Sequence, residues 1–325
     1  MQQPNYKEAL RAEIFNYISK ASVALQTESY VIGGFVRDYI LQRETATDVD
    51  IVSVGSGIEL AKKVASLLPN QPKVQVFKTY GTAMLRFEDL EVEFVGARKE
   101  SYASDSRNPT VSSGTLQDDQ NRRDFTINAL ALSLQPDSYG QLLDPFDGLQ
   151  AIKDKTLVTP SAPDITFSDD PLRMLRGIRF ASQLNFQIDA VCLASIAKNC
   201  DRIQIITNER IVTELHKIVL SEKPSPGFFL LEQVGLLSKI LPELTDLKGV
   251  DEQQGQKHKD NFYHTLEVLD NIAANTDDLW LRWAALLHDI GKAPTKKFDK
   301  KNGWTFHGHE FLGSKMVYKL FKRLK

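Results

Sequence analysis

The sequence predicts an α+β protein: a head mixing strands and helices over residues 1–140, then an all-helical remainder. Three observations carry this. Short β-branched runs alternate with helical periods as far as "LEVEFVGAR". From Asp169 onward nearly every segment repeats its apolar residues at helical spacing. A chain of 325 residues is also long for a single core, so two or more domains are expected.

Taken in order, "YKEALRAEIFNYISKASVAL" sets Leu10, Ile14, Ile18, Ala21 and Leu25 on one face, with acids between them, as in an amphipathic helix rather than an apolar targeting core. "YVIGG" reads as a short strand, followed by a helix from about Val36. "DVDIVSV" is a strand, residues 58–68 a helix, and "KVQVF", "GTAMLRF" and "LEVEFVGAR" are further strands. Residues 101–119, rich in Ser, Asp and Thr, read as a polar loop leading to a helix over "RRDFTINALAL". After "LLDPFDGLQAIKDK" the helical segments are "DPLRMLRGIRFASQL", "AVCLASIAKNC", "NERIVTELHKIVL" and "FFLLEQVGLLSKIL". The terminal "HEFLGSKMVYKLFKRLK" shows neither a glycine cap nor a proline, so the chain is expected to stop inside a domain.

Hydrophobic residues at 42% and charged residues at 25% fit a soluble globular protein, with no membrane run, fixed-period repeat or low-complexity tract. The formal charge of −2 means that any nucleic-acid footprint must be a local basic patch. Cys192 and Cys200, without a CxxC or signal peptide, read as structural thiols in a reduced, cytoplasmic compartment.

The chemistry concentrates first in residues 32–52. In "TDVDIV", Asp48 and Asp50 share one strand face because strand side chains alternate. Two carboxylates so placed repel unless they share cations, and hard oxygen donors suit Mg²⁺ carrying a substrate's phosphates. Gly33 and Gly34, between a strand and a helix, allow the backbone to approach phosphate oxygens, with Arg37 one turn in for charge. A glycine pair alone marks a tight turn; joined to the aspartates it outlines a triphosphate cradle beside two metals. Glu91 and Glu93 share a face of a later strand, and Glu93 is the favoured third carboxylate, although periodicity fits a solvated face equally well.

In "NRRDFTINALAL", Arg122 and Arg123 can clamp phosphates, while Asp124 and Asn128 are spaced to hold a ribose or to order the arginines. The plainer reading is an ordinary helix N-terminus, which two adjacent arginines would oppose. In "SDDPLRMLRGIRF", Pro171 suits the first helical position and Asp170 the N-cap, with Arg173 and Arg176 one turn apart on one face and Arg179 following. A carboxylate that accepts from an exocyclic amine, beside a guanidinium that donates to a ring nitrogen or carbonyl, matches the pairing edges of cytosine and adenine and not those of guanine and uracil. On spacing alone an i,i+3 surface ion pair is the commoner outcome.

Residues 32–52, "RRDFTINALAL", "DPFDGL", "DDPLRMLRGIRFA" and "ERIVTEL" together resemble the class II tRNA nucleotidyltransferases, the bacterial CCA-adding enzymes, a family whose fold also includes bacterial poly(A) polymerases. The resemblance covers roughly the first 220 residues in five ordered blocks. It implies a polymerase-β-type nucleotidyltransferase head over 1–140, a helical neck with the base template over 141–205, a body over 206–255 and a tail over 256–325. It further implies that Asp48 and Asp50 bind two catalytic Mg²⁺ ions, that Gly34, Arg37, Arg122 and Arg123 hold CTP or ATP, and that Asp170 and Arg173 form the base template. "RKESYASDSRNPTV" resembles the family's flexible loop. Two departures stand out. Asp169 replaces the family's usual glutamate, and "IVSVGSGIELAKK" lacks the Gly-Arg basic run of the poly(A) polymerases, which favours the tRNA enzyme.

Five of the six histidines fall between His258 and His309. His264 in "FYHTLEVL" and His288-Asp289 in "AALLHDIGK", with His307 and His309 beyond, offer imidazole and carboxylate ligands for a second divalent metal. This resembles the HD phosphohydrolase superfamily, although its last aspartate has no match before Lys325.

The expected activity is addition of C, C and A to a tRNA 3′ end from CTP and ATP. Poly(A) synthesis, or addition of part of CCA, uses the same chemistry; an HD phosphohydrolase with a nucleotide-sensing head, or a non-catalytic RNA binder, would be of another class. Arg202, Arg210, Lys217 and Lys223 are candidate RNA contacts, equally explained as solvated helix faces.

Overall fold

The computed structural model describes residues 4–43, 47–101, 110–253 and 255–325. Its internal contacts divide the chain into two compact units, Met1–Ala162 and Pro163–Lys325.

The first unit is built on strands β1 (Ser29–Ile32), β2 (Asp48–Ser53), β3 (Gln75–Phe77), β4 (Thr82–Phe87), β5 (Leu90–Gly96), β6 (Arg98–Ser101), β7 (Thr110–Ser113), β8 (Ala131–Ser133) and β9 (Leu142–Leu143). Seven of these form one mixed sheet in the order β3-β4-β5-β2-β1-β8-β9, in which only β2 and β5 run parallel. The helices are α1 (Glu13–Leu25), α2 (Gly34–Ile40), α3 (Gly57–Leu67), α4 (Leu116–Asn121) and α5 (Gly148–Lys153). Ile14, Phe15 and Ile18 of α1, with Leu60 and Val64 of α3, pack on Val31, Val49, Ile51, Val92 and Phe94 to form the main core. Each such side chain, fully buried, contributes about 1.5–3 kcal/mol. A smaller cluster of Ile32, Val52, Ala97, Leu116 and Ala131 also forms. Alternation along β2 thus sends Val49 and Ile51 into the main core and leaves Asp48 and Asp50 on the opposite face.

Three sequence expectations need correction here. The amphipathic N-terminal segment is a 3₁₀ turn, Lys7–Leu10, and then α1, rather than one helix. The stretch 101–119 is not all loop: β6 and β7 pair as a hairpin and α4 begins at Leu116 behind a Thr115–Asp118 capping box. Residues 102–109 of the expected flexible loop lie outside the described residues. "RRDFTINALAL" is not a helix: Arg122 is the C-cap of α4, Thr126–Asn128 is a 3₁₀ turn, and "ALS" is the buried strand β8. An apolar run this short fits a buried strand as well as a helix.

The second unit is mainly helical: α6 (Pro163–Asp169), α7 (Leu172–Leu184), α8 (Ala190–Asn199), α9 (Asn208–Val219), α10 (Ser225–Gln233), α11 (Leu236–Ile240), α12 (Pro242–Thr245), α13 (Asn261–Ala273), α14 (Leu279–Leu287), α15 (Lys292–Thr295) and α16 (His309–Leu324). Asp189, Asp260 and Asp278 cap α8, α13 and α14 by accepting from first-turn N–H groups, worth about 0.5–2 kcal/mol each. The expected helix over "FFLLEQVGLLSKIL" breaks at Gly235, whose φ is +78°. The remainder is also not all helical, since Lys297–Asp299 and Gly303–Thr305 pair as a hairpin around the three-residue turn Lys300-Lys301-Asn302. Buried Arg282 ties α9, α13 and α14 together by donating to the carbonyls of Val219, Ser221, Ala273 and Thr276 at 2.8–3.0 Å. Cys192 and Cys200 are free thiols, Cys192 fully buried. Among the described residues no helix is long and apolar enough to cross a membrane.

Candidate active site

The polar end of β2 organises the head site. Parallel pairing sets Asp48 opposite Glu91 and Asp50 opposite Glu93, while antiparallel pairing with β1 sets Asp50 opposite Ile32, just before the glycines. Glu91 is engaged by Arg86, its cross-strand neighbour on β4. Glu93 instead faces Asp50 and Thr82. Loss of water around its carboxyl, and then the Asp50 charge, raise its pKa; the Thr82 hydroxyl and the Arg98 charge oppose the rise. Such a carboxyl is drawn to a shared cation.

Gly33 explains the glycine pair. Its φ is +88°, and a Cβ there would lie 3.0 Å from Arg123 Nη1 and 3.3 Å from Asp50 Oδ2. Only glycine lets the backbone pass between a guanidinium and a carboxylate. The Gly33 N–H already donates to the Leu130 carbonyl at 3.2 Å, so the residue's contribution is space rather than a hydrogen bond.

The arginines are held from behind. Arg37, buried, chelates Asp38 through Nε and Nη2 at 2.9 and 2.8 Å, and its Nη1 donates to Asn128 Oδ1 at 2.7 Å. Asn128 Nδ2 in turn donates to Asp124 Oδ1 at 2.9 Å, an oxygen that also accepts from the Phe125 N–H. Arg122 and Arg123 converge on Asp119, which has no exposed surface: Arg122 Nε donates to Oδ1 at 2.9 Å, and Arg123 Nη2 to Oδ2 at 3.2 Å. Both sit at the C-terminal end of α4, where a cation suits the helix dipole, rather than at an N-terminus that would oppose it. Arg123 Nη1 also donates to the Asn128 carbonyl at 3.4 Å. Thus Gly33, Asp50, Arg37, Arg123, Asp124 and Asn128 form one connected neighbourhood. Asp38, Thr82 and Asp119 are its unforeseen members; the Thr115–Asp118 capping box was the available signal for α4 and hence for Asp119.

In the second unit Asp170 precedes α7: its Oδ1 accepts from the Leu172 N–H at 3.2 Å, and its carbonyl accepts from the Arg173 N–H at 3.0 Å. Arg173 is buried and its Nη1 donates to the Thr166 carbonyl at 3.4 Å. Arg176 lies 5.4 Å from the Phe180 ring centroid. Arg179 pairs with buried Glu214 at 2.6 Å and stacks on Phe180, which marks it as structural. Arg202 donates to the Ser168 carbonyl at 3.1 and 2.9 Å and so caps α6.

A second cluster forms where α13 and α14 meet. His264, His288 and Asp289 present ligating atoms all within 4.8 Å of one another, the one such group of three or more among the described residues; Asp48, Asp50 and Glu93 do not converge as tightly. Nδ1 of His288 lies 2.8 Å from the Ala285 carbonyl, and Nδ1 of His309 2.9 Å from the Phe306 carbonyl, and the Nε2 atom of each ring faces Asp289, at 3.1 and 3.8 Å. Asp289 is buried and Lys292 Nζ binds its Oδ2 at 2.7 Å, so a metal here would compete with an ammonium. His307 is exposed.

A mixed sheet with an acidic strand face beside clamped arginines defines a nucleotidyltransferase-type head. Residues 29–158 match the Poly A polymerase head domain, 185–248 the "Probable RNA and SrmB- binding site of polymerase A", and 261–325 the HD domain. A Multifunctional CCA protein of Shewanella frigidimarina is 34% identical over 305 residues, 91% of this chain and 69% of that protein. A CCA-adding enzyme of Anoxybacillus flavithermus is 34% identical over 80% of this chain and 60% of its own length. An A-adding tRNA nucleotidyltransferase of Aquifex aeolicus is 39% identical over 60% of this chain, which spans only 23% of that relative. A solved tRNA nucleotidyltransferase, complexed with a primer tRNA and an incoming ATP analog, aligns with a TM-score of 0.66 at 26% identity, covering 94% of this chain and 83% of that one. The chain belongs to the family of tRNA nucleotidyltransferases and poly(A) polymerases.

Proposed function

We propose that the protein adds C, C and A to the 3′ end of tRNA from CTP and ATP. The observation that carries this reading is the neighbourhood around Gly33, where Asp50 and Arg123 flank one stretch of backbone, as a triphosphate bridged to a metal requires. The names of relatives sharing most of this chain support the substrate. Asp48 and Asp50, with Glu93 as third carboxylate, are a hard-oxygen donor set suited to two Mg²⁺, which when bound would neutralise charge on the α-phosphate and the departing pyrophosphate. The tRNA 3′ hydroxyl attacks the α-phosphate of the incoming nucleotide and pyrophosphate leaves. Glu93, poised to accept a proton, serves that hydroxyl as base or ligand. Arg37, Arg122 and Arg123 hold the triphosphate, Arg37 ordered by Asp38 and Asn128, and Asp124 with Asn128 meets the ribose. Positioning and charge supply most of the rate enhancement.

In this reading Asp170 and Arg173 select the base, with Arg176 as a further nucleotide contact. The buried guanidinium of Arg173, near the Thr166 carbonyl, has little freedom, and a fixed donor discriminates between base edges.

Relatives named as A-adding at up to 39% identity favour a second reading, in which only the terminal A is added. The His264, His288 and Asp289 cluster supports a separate metal-dependent phosphohydrolase function. One experiment separates these. Supplied with tRNAs ending before the first C, the second C and the A, together with all four nucleotides, the protein should complete each to CCA. Extension of only the third substrate selects A-addition. Incorporation of UTP or GTP at similar rates removes the Asp170 and Arg173 template.

A further inference from the structure

We propose that the hairpin Lys297–Asp299 and Gly303–Thr305 is an RNA-backbone contact surface, with Lys297, Lys300 and Lys301 as its phosphate ligands. This rests on the tRNA reading above for the identity of the polyanion. Between Lys292 and Lys301 the sequence places five lysines against one aspartate, in a chain whose formal charge is −2. Two of the five are occupied elsewhere: Lys292 binds Asp289, and Lys296 pairs with Asp251 and lies over the Trp304 ring. The other three are exposed and make no ion pair among the described residues.

The hairpin beneath them is built rather than loose. Phe298 and Trp304 are cross-strand partners with ring centroids 5.3 Å apart, and His258 meets the Trp304 ring at 5.1 Å. His258 is itself fixed, its Nε2 accepting from the Asp251 N–H at 3.1 Å and its Nδ1 lying 2.6 Å from the Lys259 carbonyl. Asp299 Oδ1 accepts from the N–H groups of Lys301 and Asn302 at 2.9 and 2.8 Å, which turns the chain at the two tip lysines and draws the local carboxylate into the backbone. A preformed platform thus presents three unpaired cations, and such charges bind a regularly spaced phosphate backbone with counterion release. An acidic protein partner is disfavoured. None of the exposed large apolar side chains among the described residues belongs to this hairpin, so it lacks the apolar centre that protein interfaces carry.

The test compares wild type with the triple variants Lys297→Gln/Lys300→Gln/Lys301→Gln and Lys297→Arg/Lys300→Arg/Lys301→Arg, measuring the Kd for a tRNA lacking CCA across a salt series. The glutamine variant should bind roughly tenfold more weakly, with the slope of log K against log salt reduced in magnitude by about 2 to 3. The arginine variant should keep the wild-type slope, and nucleotide incorporation at saturating tRNA should be the same in all three. Equal slopes for wild type and the glutamine variant, or equal weakening by glutamine and arginine, would overturn the proposal. Because binding is read without turnover, a wild type that binds tRNA but incorporates neither CMP nor AMP refutes the proposed activity while leaving the surface standing.

Discussion

Asp50 and Glu93 are direct neighbours on the two parallel strands of the head sheet, and the Asp50 charge helps hold the Glu93 carboxyl above its ordinary pKa. The folded state therefore holds that proton more tightly than the unfolded chain does. Stability from this group is fully present below the ordinary carboxyl range and is lost as pH rises through the raised value. In metal-free buffer, Glu93→Gln should remove that loss, so the variant's Tm should exceed the wild type's near neutrality and converge with it in acid. A wild type that gains stability relative to the variant over the same rise in pH would show the sign to be wrong. Incorporation by Glu93→Gln should fall at least tenfold, as expected on loss of a general base.

Asp119 restrains both arginines that follow α4, although it cannot reach substrate from its buried position. Asp119→Ala should raise KM for CTP and ATP about tenfold or more while lowering kcat less. Leaving two guanidiniums without their buried partner should also cost about 3 kcal/mol or more. Asp119→Glu, which keeps the charge, should recover part of the KM. A purely structural role predicts instead a lower Tm with KM unchanged at temperatures where the variant is folded.

Gly33→Ala combines a strained backbone with a methyl group 3.0 Å from Arg123 Nη1. The residue borders Asp50 and Arg123 but lies outside the main core, so the expected outcome is loss of at least a hundredfold in kcat/KM with a folded protein by circular dichroism. Retained kcat/KM would place the triphosphate away from this turn.

Much of the head was legible because its signals are local. Alternation alone put Asp48 and Asp50 on one face, and the glycine pair announced a turn. The partnership of Asp50 with Glu93 was not readable as a distance, because parallel strands distant in sequence fix it; only the preference for Glu93 over Glu91 was available. The stretch around Arg122 and Arg123 was misread as one helix because a short apolar run carries no period of its own, and the buried carboxylate of Asp119 lay in what looked like polar loop. In the second unit the helices were clear from periodicity. The hairpin at Lys297 was missed because its three-residue turn, Lys300-Lys301-Asn302, carries no two-residue hairpin signal and lysines stand where alternating apolar residues would normally appear.

The two aspartates of β2 carry the proposed chemistry, and each can be removed singly. Asp48→Ala and Asp50→Ala should each abolish magnesium-dependent incorporation of labelled CTP and ATP into tRNA, while tRNA binding and any phosphohydrolase activity at His264, His288 and Asp289 persist. Incorporation by either variant at a rate near the wild type's would contradict that chemistry.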